Sequence, residues 1–179
     1  MADCGSIAIQ SFPRDCEANM GGVKKVWIGL KKDVTVPQNG ITDGKITTIN
    51  VSGSLHEFPF RKGAASMTSN LQKDDTNGTY YWETDLVMNF LRMETRKRLA
   101  VMALSQAEAA AVVLDNNDHY WFLGYDEYLS ATAGTGETGQ AKTDANQYTI
   151  TLQDSSLELP YEILPSAITG SLGSADDEI

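Results

Sequence analysis

Apolar and polar positions alternate with a period of two along most of this chain, the spacing of half-buried β-strands. The clearest run starts at Tyr80, where Tyr80, Trp82, Thr84, Leu86, Met88 and Phe90 fall on one face and Tyr81, Glu83, Asp85, Val87, Asn89 and Leu91 on the other. The first face reads as core and the second as mixed. Residues 58–72 also read as extended, and the stretch between the two runs, Lys73-Asp74-Asp75-Thr76-Asn77-Gly78, supplies turn residues, with Asn-Gly tolerating positive φ at the tip. The pattern predicts a hairpin with arms of about 14 residues, roughly 45 Å, against a usual strand of about 5–6 residues. Arms of that length overshoot the body of a small domain. Their far end needs a covering surface, and a neighbouring copy of the chain is the obvious source.

Other strands are predicted at residues 23–30, opening from Gly21-Gly22, at 45–51 between glycines, at 110–114 and at 119–123. The last two flank Asp115-Asn116-Asn117-Asp118, a tight polar turn. Residues 93–107 give one helix, with Leu99, Met102, Ala103 and Ala107 at the spacing of a single apolar face and Arg92, Arg96 and Lys97 left to solvent. Residues 132–147, with Gly134, Gly136 and Gly139 among threonines, read as a mobile loop. Strands resume at 148–152 and 156–163, where Pro160 suggests a sheet edge.

With 179 residues the chain can bury one sizeable core. The expected organisation is one mainly β domain over residues 1–165, its first 20 residues an extended arm, followed by an acidic tail at 166–179 that is loosely held until a partner orders it. No apolar run is long enough to span a membrane, and the first residues lack the basic and apolar regions of a secretory signal. The expectation is a chain that stays where it is made, with no membrane partner.

Charge changes the picture more than composition does. Thirteen of the fourteen basic residues lie at or before Arg98, where 11 acids accompany them, while Lys142 faces 13 acids in residues 99–179. The formal net charge of −10 therefore belongs to the second half. Acidity argues against a surface that grips DNA or RNA, since phosphate contacts need clustered Lys and Arg, but not against one that nucleic acid slides past. Unlike signs on different faces also favour head-to-tail meeting of copies.

Candidate chemistry is sparse. Gly134, Gly136 and Gly139 lack the strand-then-helix context and the Lys-Ser/Thr of a phosphate cradle, so a flexible loop is the favoured reading. Asp115, Asn117 and His119 alternate as calcium ligands do, yet the distant Glu and central Gly of a calcium loop are missing. Asp126-Glu127 reads as a solvated turn rather than an acid/base pair, and His119 as a rim histidine, because no nucleophile or partner converges on it. Trp82, Tyr120 and Trp121 read as packing residues rather than a ligand platform. Cys4 and Cys16 cannot make a zinc site with two isolated histidines; reduced thiols are favoured, with a local disulfide the alternative. No catalytic residue, cofactor or metal is expected.

In order and spacing, several segments together resemble the tail tube (major tail) proteins of tailed bacteriophages. They are Cys16-Glu-Ala-Asn-Met-Gly-Gly-Val-Lys-Lys-Val-Trp-Ile28, Gly78-Thr-Tyr-Tyr-Trp-Glu-Thr-Asp-Leu86, Arg96-Lys-Arg-Leu-Ala-Val-Met-Ala-Leu104, Val112-Val-Leu-Asp-Asn-Asn117 and Tyr120-Trp-Phe-Leu-Gly124. Thr138-Gly139, Asp144, Tyr148-Thr-Ile-Thr-Leu152 and Leu159-Pro-Tyr-Glu-Ile163 complete the set, which spans residues 16–163.

The resemblance implies a β-sandwich or half-barrel with a long hairpin and one flanking helix, six copies of which close a ring around a continuous β-barrel. Rings stack into the tube through which the genome is ejected. It also implies a virion location, partners in the tape-measure, terminator and baseplate proteins, and DNA that passes without specific binding. On that view Glu83, Asp85 and Asn89 are candidate lumen or subunit-interface residues, and the tip with Lys73, Asp74, Asp75 and Asn77 reaches the adjacent ring or subunit. Arg96, Lys97 and Arg98, set against Asp126, Glu127 and Glu137, are the candidate ring-stacking charges. Open alternatives are a tail ring or collar protein of a short-tailed phage, the tube of a contractile injection or type VI-like system, and a small acidic β-domain that binds carbohydrate or peptide.

Overall fold

The computed structural model of the chain describes residues 11, 12, 14 and 16–173. In chain order the elements are β1 Val23–Leu30, β2 Val34–Thr35, β3 Ile41–Thr42, β4 Lys45–Ile46, β5 Asn50–Val51, β6 His56–Glu57, β7 Ala65–Asp74, β8 Thr79–Leu91, α1 Thr95–Leu104, β9 Ala109–Asp115, β10 Tyr120–Leu123, β11 Ser130–Glu137, β12 Gln147–Ser156, β13 Tyr161–Ile163 and α2 Pro165–Ile168. The fold is mainly β, with few helices.

Two sheets carry it. One has seven strands in the order β3-β4-β13-β10-β9-β1-β6, the other four in the order β11-β12-β8-β7, and β2 pairs with β5 in a small ribbon. The first core lies between the sheets, where Leu86, Met88, Phe90, Ile150 and Leu152 meet Val26, Ile28, Ala111, Val113 and Leu123. The second lies behind the seven-stranded sheet, where its Trp27, Ile46, Ala110, Val112, Phe122 and Ile163 cluster with Val34, Ile49, Leu55 and Ile168 from outside it. The seven-stranded sheet is thus covered on both faces. That is why β9 is an unbroken buried apolar run from Ala109 to Leu114, whereas β8, covered on one face, alternates.

β1, β9, β10 and the turn between the last two form where the pattern puts them. The turn is closed by Asp115, whose Oδ1 accepts from the N–H groups of Asn117 and His119 and whose Oδ2 accepts from Trp121 Nε1. The same turn holds the start of the chain: Met20 N–H donates to Asn117 Oδ1, and Asn116 Nδ2 donates to the Gly21 carbonyl.

Several expectations need correction. Residues 45–51 form two short strands, because Thr47 and Thr48 turn to donate their N–H groups to the Gly40 carbonyl. Of residues 58–72 only those from Ala65 are strand; a turn at Lys62-Gly63 precedes it, and Phe58 and Phe60 fold back on the core instead. The hairpin arms are 10 and 13 residues. Residues 132–147 are not all loop, since Ser130–Glu137 is a strand along β12; its ladder uses backbone groups that Gly supplies as well as any residue. Gly136 lies under the Tyr148 ring, where a Cβ would come within 3.0 Å of a ring carbon. The last strand begins only at Tyr161, and β13 sits inside its sheet between β10 and β4; Pro160 lies just before it and marks no edge.

The helix forms but turns a different face inward. Leu99 and Met102 are 56% and 46% exposed, and Leu104 is buried, with Ala100, Val101 and Ala107 partly so. Its start is fixed from outside: Arg92 takes a positive φ, Met93 N–H donates to Asn146 Oδ1, and Lys97 Nζ donates to the Leu91 carbonyl at 2.8 Å. These ties set the rotation, so the apolar spacing read along the chain misjudged the face. Beyond residue 165 the chain stays on the body as well, with Ile168 buried and the Gly173 carbonyl accepting from Trp27 Nε1. Cys16 is exposed, and Cys4 lies outside the described residues, as do 174–179 of the acidic tail.

Candidate assembly surfaces

One face of the four-stranded sheet is core; the other is open. Register places Glu83, Asp85 and Asn89 on that open face beside Asn70, Thr68, Gln153 and Thr149 of the flanking strands. The acids there are held by amides. Gln153 Nε2 donates to Asp85 at 2.8 Å, Gln72 Nε2 to Glu83 at 2.9 Å and Gln147 Nε2 to Glu137 at 2.8 Å. Thr149 donates to the Asn89 side-chain oxygen. Apart from Val87 and Leu91, the alternate positions on this side from Ser66 to Gln72, Glu83 to Leu91 and Gln147 to Ser155 are Ser, Thr, Asn, Gln and acids, and none is Lys or Arg.

The sheet also has two open edges. β7 pairs only with β8 and β11 only with β12 among the described residues. Both are long, at 10 and 8 residues, and both are largely exposed.

The hairpin outruns the core beneath it. Along the predicted core face, Thr84, Leu86, Met88 and Phe90 are buried, Trp82 is half-buried, and Tyr80 is 55% exposed beside Leu71 at 49%. The tip is a tight turn: Asp74 Oδ1 accepts from the Thr76 and Asn77 N–H groups, and Oδ2 from the Asn77 side chain. Those N–H groups hold the Asp74 carboxyl below its usual range. Lys73 pairs with Asp75 at 2.7 Å, and Gly78 takes φ +65°. All four predicted tip residues, Lys73, Asp74, Asp75 and Asn77, stand together in solvent.

The charged sets separate along the strand direction. Arg96 and Arg98 are exposed at the start of α1, and Lys97 is tied to Glu94 at 2.9 Å. Asp126 and Glu127 are exposed at the other end of the sheet, where Asp126 Oδ2 accepts the Leu157 N–H just past the Trp82–Ser156 pair. The Leu91 row and the Trp82 row are nine residue steps apart along β8, about 30 Å. Glu137 stands at the arginine end, since it pairs with Gln147 opposite Leu91.

Three features escape the sequence pattern. The β11 edge is hidden by its glycines. The glutamines that hold the acids become partners only once register is known. The third is a buried carboxyl: Asp154 is 4% exposed, one oxygen accepts the Gly124 N–H at 2.9 Å, and the other has no partner among the described residues. Burial, then nearby Asp126 and Glu127, push its pKa up against the pull of Gly124 and Lys31. Lys31 Nζ bridges the Gly124 and Tyr125 carbonyls close by, and burial pushes its pKa down.

Compared with protein-family models, with curated proteins and with solved structures, the chain finds no match.

Proposed function

We propose that this chain is a tube-forming structural protein of the tail-tube kind, whose copies join side by side into rings that stack around a lumen for passing DNA. The observation that carries the reading is the four-stranded sheet with core on one face, amide-held acids on the other, and both edges open. An open edge of eight or ten residues invites another strand, and β7 and β11 are unlike, so pairing one copy's β7 to the next copy's β11 is a heterologous contact that closes as a ring. Closure would turn every copy's polar face inward. Its acids would repel phosphate, and its hydroxyls and amides offer no fixed cation to hold a strand.

Stacking has support from the hairpin and the charge layout. The exposed Leu71 and Tyr80 lie past the last core row, and a neighbouring ring would cover them. Cationic and acidic groups about 30 Å apart along the strands suit rings that meet head to tail. In this arrangement the acids opposite Arg96 and Arg98 are Asp126 and Glu127, and Glu137 belongs with the lumen face. Negative-stain microscopy of the purified chain over a range of concentration and salt tests the reading. Rings or filaments are expected, and a field of monomers under every condition overturns it.

A further inference from the structure

A groove runs between α1 and the β6 edge of the seven-stranded sheet. It consists of two adjoining cavities of about 260 and 320 Å³ that share Phe58 and Ala100. Ile28, Phe90 and Leu104 line it and belong to the first core, so the groove is an open flank of that core. Its mouth lies at the Leu91 end of the four-stranded sheet. There Lys97 Nζ holds the start of α1 to the Leu91 carbonyl, and the Asn89 N–H holds the end of segment 58–64 by the Ala64 carbonyl.

The opposite end of the molecule has the converse shape. Leu71 and Tyr80 are exposed there, on the part of the hairpin that passes beyond the core. Tyr80 alternates with Trp82, Leu86 and Phe90 along β8, and Leu71 lies directly across from Trp82. Both side chains therefore project from the same side of the sheet as Phe90. When two copies stand end to end with these sheets in line, the Leu71–Tyr80 end of one meets the groove mouth of the next in the same layer. Charge agrees with that match. At the tip Asp74 and Asp75 outnumber Lys73, whereas Arg61, Lys62, Arg92 and Arg98 are exposed at the groove end. The acids lining that mouth, Glu57 and Glu94, each face a lysine of their own chain, Lys25 at 3.0 Å and Lys97 at 2.9 Å.

Resting on the tube reading above, we infer that the α1–β6 groove receives the hairpin of a second copy in the adjoining ring, with Leu71 and Tyr80 against Phe58, Phe90 and Ala100, and the acidic tip beside Arg61 and Lys62. Three features agree on this occupant: the shared side of the sheet, the opposite charges, and apolar side chains without cover facing an apolar cavity without contents. Tyr80 suits such a seat, since its ring can be buried while its hydroxyl stays in water at the mouth. The contact joins unlike surfaces at opposite ends of the chain, so it repeats from ring to ring and gives the stack a direction. It also closes the open flank of the first core, which in a single copy is left to solvent.

Disulfide trapping in assembled protein tests it, in a chain with Cys4→Ser and Cys16→Ser. Leu71→Cys is combined either with Ala100→Cys, on the groove wall, or with Met102→Cys, on the exposed side of α1. Ladders of chains joined by disulfides should grow at least about tenfold faster for the Ala100 partner, because seating raises the effective concentration there alone. Filaments that give equal rates, no ladder, or bonds only within one chain would overturn the inference while leaving the tube reading in place. A wild-type chain that forms neither rings nor filaments removes the tube reading, and the contact falls with it. Ala100→Phe reads the same point without cysteines, by placing a ring of the chain's own in the groove. Rings that no longer stack are expected by negative-stain microscopy; unaltered filaments, or the absence of rings, would count against a contact between rings.

Discussion

Asp154 stands opposite Thr84 between two sheets, and only one of its oxygens has found a donor. Its folded pKa is raised above the unfolded value of 3.8, so between the two the native chain holds a proton that the unfolded chain has lost. Stability therefore falls as pH climbs through that window and stays lowered at neutral pH. Asp154→Asn keeps an acceptor for the Gly124 N–H and removes the charge, so thermal melting from pH 3.5 to 7.5 should show a variant that gains Tm over wild type at neutral pH and loses the slope. A variant that melts lower at pH 7 would show the charged form to be the stabilising one. Its neighbour Gly124 has φ +91°, and a Cβ there would lie 2.9 Å from Leu129 Cδ1. Gly124→Ala should cost about 1–3 kcal/mol in urea unfolding. That loss would be felt at the loop that presents Asp126 and Glu127.

At the scale of elements, the hairpin divides into a half that holds the fold and a half that does not. Leu86, Met88, Ile150 and Leu152 are fully buried, and Leu152→Ala should cost about 2–5 kcal/mol. Leu71→Ser with Tyr80→Ser changes exposed positions, so monomer stability should move by no more than about 0.5 kcal/mol while assembly is lost. Sedimentation and urea melts of the same double variant would separate the two effects; an assembling double variant removes the hairpin from the interface. The division was half visible in the chain. Alternation names the core face of β8, because one-sided burial imposes period two, but it cannot say where the core ends, which depends on how far the facing sheet reaches. The β11 edge was illegible for another reason. Its glycines and alanines have low strand preference, and pairing along β12 overrides that preference with backbone bonds. The face of α1 was misread because its rotation is set by Asn146 and the Leu91 carbonyl, partners that are remote or lie in the backbone.

For the molecule as a whole, charge is arranged by position rather than by pairing. Arg96→Glu, Lys97→Glu and Arg98→Glu together should impair stacking, and reversing Asp126 and Glu127 to Lys in the same chain should partly restore it. Unaltered filaments in the triple variant, by microscopy, would remove these residues from the contact. Glu83→Lys with Asp85→Lys tests the lumen separately: tubes should still form but retain added single-stranded DNA through a wash at low salt, and lose it as salt rises. Tubes that retain none would move the polar face elsewhere. One last feature bears on timing. Asn116 and Asn117, which grip residues 19–22, lie 94 to 98 positions downstream of their partners. During synthesis, which runs from the N-terminal end, the first residues therefore emerge long before their clamp exists. The direction in which residues 19–22 enter β1 is therefore set only after the β9–β10 turn has been made, and an unfinished chain lacks that clamp.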